Sequence, residues 1–276
     1  MRSQHVTVNG IRMRWEAQGE GFPVVLIHGI PTSPALWRDV IPHIRDARCL
    51  AWEMVGYGDS IVEGHGRDIS VGRQADYLVH WMHEAGIERA VLVGHDLGGG
   101  VAHIAAVRHP GRFAGLVLTN SIGYDSWPIP SVKALRAARG LLQRLPSGAL
   151  RPVFASFMVR GHDDRKKARE ALQIHSKPYS APGGAQAFVR QIRSLDVRDT
   201  LAVMEAIPTL GLPARVVWGT GDRFQKVGYG ERFAHELGAP LTRIPGGKHF
   251  TPEDHPKEVA EAVNDLLMQI GARRAA

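Results

Sequence analysis

Apolar and polar positions along this chain follow two alternating rhythms. Short apolar runs recur at Val24–His28, Cys49–Val55, Ala90–Gly94, Gly115–Thr119, Ala214–Trp218 and Leu241–Pro245. Runs of that length with little polar alternation fit strands buried on both faces. Between them, apolar residues take helical spacing over about 75–86, 98–108, 231–237 and 256–270. Strands that alternate with helices predict a mostly parallel sheet flanked by helices. Ahead of the first run, His5–Val8 and Ile11–Glu16 flank Asn9-Gly10, the turn chemistry of a two-residue hairpin.

The rhythm changes between Tyr124 and Ile207, where stretches such as Val132-Lys133-Ala134-Leu135-Arg136 keep helical spacing and no strand pattern appears. A connection that long needs structure of its own. The expected organisation is an α/β core domain of residues 1–124 and 207–276, with a helical cap (lid) inserted at 125–206.

Composition narrows the class. In 276 residues, 44% are apolar and 22% charged, which excludes a disordered chain and suits one globular unit. A single cysteine, Cys49, excludes an internal disulfide and any CxxC metal or redox site. No run approaches the roughly 20 apolar residues that span a bilayer. Met1–His5 leads straight into strand-like sequence without a signal-type apolar stretch. We therefore expect a cytoplasmic enzyme with no membrane partner, as a monomer or a homodimer.

The net charge of +7 first suggests nucleic acid as a partner. Its distribution argues otherwise, because residues 124–207 carry 14 Lys and Arg against 7 Asp and Glu, and the remainder is balanced. An excess confined to the insertion fits solvated helix faces or the steering of an anionic small-molecule substrate, not a nucleic-acid surface. His162–Lys167 reads as a solvated helix start, since metal-ligand spacing is absent. No phosphate-cradling glycine loop appears, and no cofactor or metal is expected.

The chemistry concentrates in Val91-Leu92-Val93-Gly94-His95-Asp96-Leu97-Gly98-Gly99-Gly100. A strand ending in Gly-x-Asp-x-Gly-Gly before a helix has the pattern of a nucleophile elbow, with aspartate at the nucleophile position. Taken alone, Asp96 reads better as a helix N-cap. Two further segments change that weighting. His28-Gly29-Ile30-Pro31 follows the first central strand, where an oxyanion loop belongs. Trp218-Gly219-Thr220-Gly221-Asp222 and Gly246-Gly247-Lys248-His249-Phe250 each end a later strand. Nucleophile, acid and histidine thus occur in that order, each just past a strand, where ligands bind in such sheets.

On these segments the chain resembles the α/β-hydrolase superfamily, over nearly its whole length outside the insertion. It looks most like the aspartate-nucleophile branch of epoxide hydrolases and haloalkane and haloacetate dehalogenases. Matching stretches are LIHGIPTSPALWRDVIPHI, VGYGDS, VGHDLGGGVA and IPGGKHFTPEDHP. The resemblance implies Asp96 as nucleophile, His249 as base and Asp222 as its orienting acid. It places the Ile30 and Leu97 N–H groups at the oxyanion positions and a helical cap at 125–206.

Aspartate in place of serine bears on the substrate. A carboxylate is ionised at neutral pH without a base, and the helix N-terminus behind Asp96 is expected to favour that ionised form. Attack on an acyl carbon would give a mixed anhydride, whereas attack on a saturated carbon gives an ordinary ester. Asp96 therefore points to displacement at an sp3 carbon, followed by hydrolysis of the ester. Haloalkane dehalogenases place Trp after the nucleophile and a polar residue after His-Gly. Here Leu97 and Ile30 stand at those positions, and the arginines of haloacetate dehalogenases are replaced by Leu97 and Gly100. Epoxide hydrolases share His-Gly-x-Pro and use cap tyrosines, for which Tyr124 and Tyr179 are candidates, with Trp127 as a further pocket residue.

The leading expectation is thus epoxide hydrolysis to a diol. The alternatives are hydrolytic carbon–halogen cleavage, or a non-hydrolytic relative such as a lyase, cyclase or ligand-binding protein.

Overall fold

The structure, a computed structural model, describes residues 1–146 and 148–275, with 272–275 described by backbone alone. Eight strands form one sheet: β1 (Arg2–Val8), β2 (Ile11–Gln18), β3 (Phe22–Ile27), β4 (Ala47–Trp52), β5 (Ala90–His95), β6 (Phe113–Thr119), β7 (Ala214–Gly219) and β8 (Leu241–Ile244). Their order is β1-β2-β4-β3-β5-β6-β7-β8. β2 is antiparallel to β1 and β4, and all later pairings are parallel. In the first hairpin Val8 pairs with Ile11, so Asn9 and Gly10 form a two-residue loop at φ 49° and 73°, as the sequence predicts.

Several boundaries differ from the apolar pattern. β4 stops at Trp52 rather than Val55, because the chain turns there and the Tyr57 N–H bonds the Met54 carbonyl at 3.1 Å. Helix α1 (Val71–Glu84) starts four residues before its apolar stripe, since the Ser70 hydroxyl caps it by accepting from the Arg73 N–H.

Helix α2 (Leu97–Arg108) follows β5 directly. The connection from β6 to β7 carries α3 (Pro130–Ala137), α4 (Arg139–Leu142), α5 (Arg151–Gly161), α6 (Arg165–His175), α7 (Gly184–Ser194) and α8 (Arg198–Leu201), with no strand among its described residues. Then come α9 (Val227–Glu236), α10 (Thr251–Asp254) and α11 (Pro256–Ala275). Every residue of β5 and β6 is buried, and so is every residue of α2 from Leu97 to Ala106. A helix apolar all round lies inside the core, which puts the β5–α2 junction at the molecule's centre.

That junction depends on a missing side chain. A Cβ at Gly98 would collide with the Ile27 carbonyl oxygen at the end of β3. Gly98→Ala is expected to cost about 2 kcal/mol through overpacking, measured by urea unfolding. A change below about 0.5 kcal/mol would mean that the helix can shift without penalty.

Candidate active site

Asp96 forms the corner between β5 and α2 at φ 51° and ψ −120°, a conformation that strains residues other than glycine. The corner sets its carboxylate against the loop after β3, where Gly29 has no room for a Cβ beside Asp96. The Ile30 N–H donates to Asp96 Oδ2 at 3.0 Å, and the Leu97 N–H acts on the same carboxylate. His28 braces this loop: its Nδ1 bonds the Gly29 carbonyl at 2.9 Å, and its Nε2 accepts from the Met54 N–H at 3.2 Å.

Opposite Asp96, the loops after β7 and β8 bring Asp222 and His249 together. His249 Nδ1 donates to Asp222 Oδ2 at 2.8 Å, and His249 Nε2 lies 3.8 Å from Asp96 Oδ1. Asp222 is held at both oxygens. Oδ1 accepts from the N–H groups of Phe224 (2.6 Å) and Gln225 (3.1 Å), and Oδ2 accepts from Asn120 Nδ2 (2.7 Å). His95 adds a hydrogen bond from Nε2 to the His249 carbonyl at 2.9 Å. The Gly161 carbonyl, at the end of α5, accepts from the N–H groups of both His249 (2.9 Å) and Phe250 (3.0 Å).

The electrostatics of the pair depart from the sequence expectation. Burial raises the Asp96 carboxyl above its usual range, outweighing His249 and the Ile30 and Leu97 N–H groups, which act to lower it. The helix N-terminus therefore does not dominate. For His249, burial lowers the pKa, but Asp222 and then Asp96 act against it, and the net shift is upward. Each group favours the charged form of the other: His249 draws the Asp96 carboxyl downward, and Asp96 draws the His249 imidazole upward.

Above these groups lies a narrow cavity whose water-accessible core is about 50 Å³. Its floor holds Ile30, Asp96, Leu97 and His249, and its walls include Phe157 and Phe188 from the helices between β6 and β7. Among the described residues no Lys or Arg lines it, so their excess charge in the insertion lies outside the cavity.

The cap residues divide. Trp127 lines the cavity, with its indole N–H committed to Thr200 Oγ1 at 2.9 Å. Tyr124 and Tyr179 are absent from the lining, which corrects their expected placement there. The Tyr124 hydroxyl donates to Glu236 Oε2 on α9 at 2.8 Å, under the Arg232 guanidinium. The Tyr179 hydroxyl donates to Gln191 Oε1 on α7 at 2.9 Å. Each phenol has a polar partner outside the cavity lining, as a buried tyrosine requires.

Three functional neighbours escape sequence reasoning. Asn120, just past β6, has no motif around it. Gln225 is 2% exposed and lines the cavity, and its Oε1 is buried without a partner. Its only signal is its place three residues after Asp222. Glu253, four residues after His249, is fully buried against Arg38, His162 and His175. Among the described residues no group of three or more His, Cys, Asp or Glu is placed to hold a metal, and no helix is long and apolar enough to cross a membrane.

An acidic side chain at a strand-to-helix corner, facing a carboxylate-held imidazole across the carboxyl edge of a parallel sheet, defines a hydrolase of the α/β class. The chain belongs to the alpha/beta hydrolase fold family, whose pattern matches residues 23–256. Haloalkane dehalogenase 2 of Mycobacterium bovis and that of Mycobacterium tuberculosis are each 27% identical to it over 263 residues, spanning 91% of this chain and 90% of theirs. The crystal structure of an alpha/beta hydrolase fold protein from Burkholderia ambifaria superposes with a TM-score of 0.85 at 27% identity, covering 95% of this chain and 97% of that one. Haloalkane dehalogenase DbeA from Bradyrhizobium elkani shares the fold at a TM-score of 0.78 and 23% identity, over 99% of both chains.

Proposed function

We propose that this enzyme hydrolyses a carbon–halogen bond in a small apolar alkyl halide through an ester on Asp96. The observation that carries the reading is the cavity itself. It offers a carboxylate nucleophile and a histidine within largely apolar walls and, among the described residues, no phenol to protonate an alkoxide. Epoxide opening, favoured by His-Gly-x-Pro, needs such an acid, and Tyr124 and Tyr179 are bonded elsewhere. A halide leaves as a stable anion and needs none. The 27% identity to haloalkane dehalogenase 2 agrees with this choice.

In the first step an Asp96 oxygen forms a bond to the carbon, and the carbon–halogen pair leaves with the halide. In the second, His249 Nε2 takes a proton from water, whose oxygen attacks the Asp96 carbonyl carbon. The Ile30 and Leu97 N–H groups hold the resulting oxyanion, each worth about 3 kcal/mol by analogy with measured donors. Collapse expels the alkoxide, which takes the proton back from His249. The regenerated Asp96 then loses its own proton to solvent. Asp222 holds the imidazole tautomer and stabilises its cation. Residues 125–206 serve as a cap that shapes the cavity and keeps bulk water out.

His249→Gln is the test. Alkylation would proceed and hydrolysis stop, so intact mass should show one alkyl group per chain after incubation with n-butyl bromide. Parallel incubation with styrene oxide separates the two leaving groups. An adduct from the epoxide alone would return the reading to epoxide hydrolysis, and no adduct from either would remove the ester mechanism.

A further inference from the structure

We propose that the side-chain carboxamide of Gln225 receives the departing halide, an inference that rests on the alkyl-ester reading above. Gln225 lies in the cavity wall, on the loop that carries Asp222. Its backbone is fixed at both ends: the N–H donates to Asp222 Oδ1 (3.1 Å) and the carbonyl accepts from Trp218 Nε1 (2.9 Å). Its side chain makes no hydrogen bond among the described residues, and Oε1 is buried with no partner. Oε1 accepts and cannot pair with a halide, so the group offered to an anion is the Nε2 amide, which donates to no described residue.

The donors around the cavity point to the same residue by elimination. The Ile30 N–H is on Asp96, and the Leu97 N–H acts on the same group. The Trp127 indole is on Thr200. His249 has Nδ1 on Asp222 and Nε2 facing Asp96. Among the described residues of this lining, Gln225 Nε2 is the side-chain N–H left uncommitted. As the Asp96–carbon bond forms and the carbon–halogen bond breaks, negative charge grows on the halogen, and a preorganised neutral N–H is suited to hold it. A carboxamide holds a departing anion through its N–H without giving up a proton, which is all that a halide requires. Gln225 thus takes a role that the sequence assigns to no residue, since Leu97 and Ile30 carry no donor side chain.

The experiment follows ester formation by quench and intact mass in His249→Gln, with and without Gln225→Leu, using n-butyl chloride, bromide and iodide. Leucine keeps the volume and removes the unpaired amide, so the melting temperature should hold or rise. Ester formation from the chloride is expected to slow about 10- to 100-fold, as when a donor to a developing anion is lost. With the iodide, whose charge is more diffuse, the loss should stay within about threefold. Gln225→Glu, which presents a negative group, should slow the chloride more than leucine does, and gives the same reading if the leucine variant fails to fold. An equal loss on all three halides, or none, would overturn the role of Gln225 and leave the ester mechanism standing. Absence of any adduct in the parent His249→Gln would overturn the mechanism itself.

Discussion

Asp96→Ala is expected to lower turnover about 10⁵-fold, the scale measured when a covalent nucleophile is removed, without unfolding the protein. The side chain sits at a strained corner with φ 51°, and burial raises its carboxyl above its usual range. Both features oppose the folded state, the first by about 1–3 kcal/mol. Asp96→Gly, which also relieves the backbone, should therefore melt at or above the wild-type temperature while remaining inactive. The decisive pair of measurements is steady-state halide release and thermal unfolding on the same samples. Residual activity above about a hundredth of wild type would mean that Asp96 is not the nucleophile.

Glu253→Gln is expected to cost about 3 kcal/mol of stability, the lower end of the range for breaking a buried ion pair. Glu253 is bonded to Arg38 and lies 3.3 Å from both His162 Nε2 and His175 Nε2. Arg38 and His162 keep other carboxylates, Glu170 and Asp254, which holds the cost at the lower end. The cluster also sets a pH window. For His162, burial acts downward, but Asp254 and Glu253 overcome it and raise the pKa to about 9. Its contribution is complete below its ordinary 6.5 and is lost as pH rises through about 9. Glu253 is shifted downward, against the effect of burial, by His175 and His162. Its contribution is present above its ordinary 4.5 and is lost as pH falls through its lowered value. Wild-type unfolding free energy should fall between pH 6.5 and pH 9, and Glu253→Gln should flatten that decline because His162 then has one carboxylate fewer. Parallel pH profiles for the two proteins would show that His162 and Glu253 are not coupled.

The fold was legible because its strands are apolar on both faces. Val24–Ile27 and Ala90–Val93 have no polar residue to confuse the period, and Asn9-Gly10 names its own turn. The grouping of Asp96, Asp222 and His249 was legible for a topological reason: each follows a parallel strand, and parallel strands deliver their carboxyl ends to one edge. What a side chain bonds across the molecule was not legible. Tyr124 and its partner Glu236 are 112 positions apart, and no local pattern announces that the phenol turns to α9 instead of the cavity. Gln225 is similar. Its sequence neighbours reveal an Asx-type turn on Asp222 at most, whereas its lack of a partner emerges only when every nearby donor has been assigned. In sequence Glu253 is one more acid at a helix start, because Arg38, His162 and His175 reach it from just after the short helical turn 34–37 and from the ends of α5 and α6.

The hydrogen bonds from His249 and Phe250 to the Gly161 carbonyl, with His162 stacked on Phe250 at 4.6 Å, bear on how such enzymes can be recombined. The helices that shape the cavity and the loop that carries the histidine are not interchangeable parts. A chimera that imports residues 125–206 from a relative would bring a foreign backbone acceptor to His249 and foreign counter-charges to Glu253. The transferable unit is the insertion together with the segment from Gly247 to Asp254, and libraries that exchange the two jointly should retain more active members than those that exchange the insertion alone.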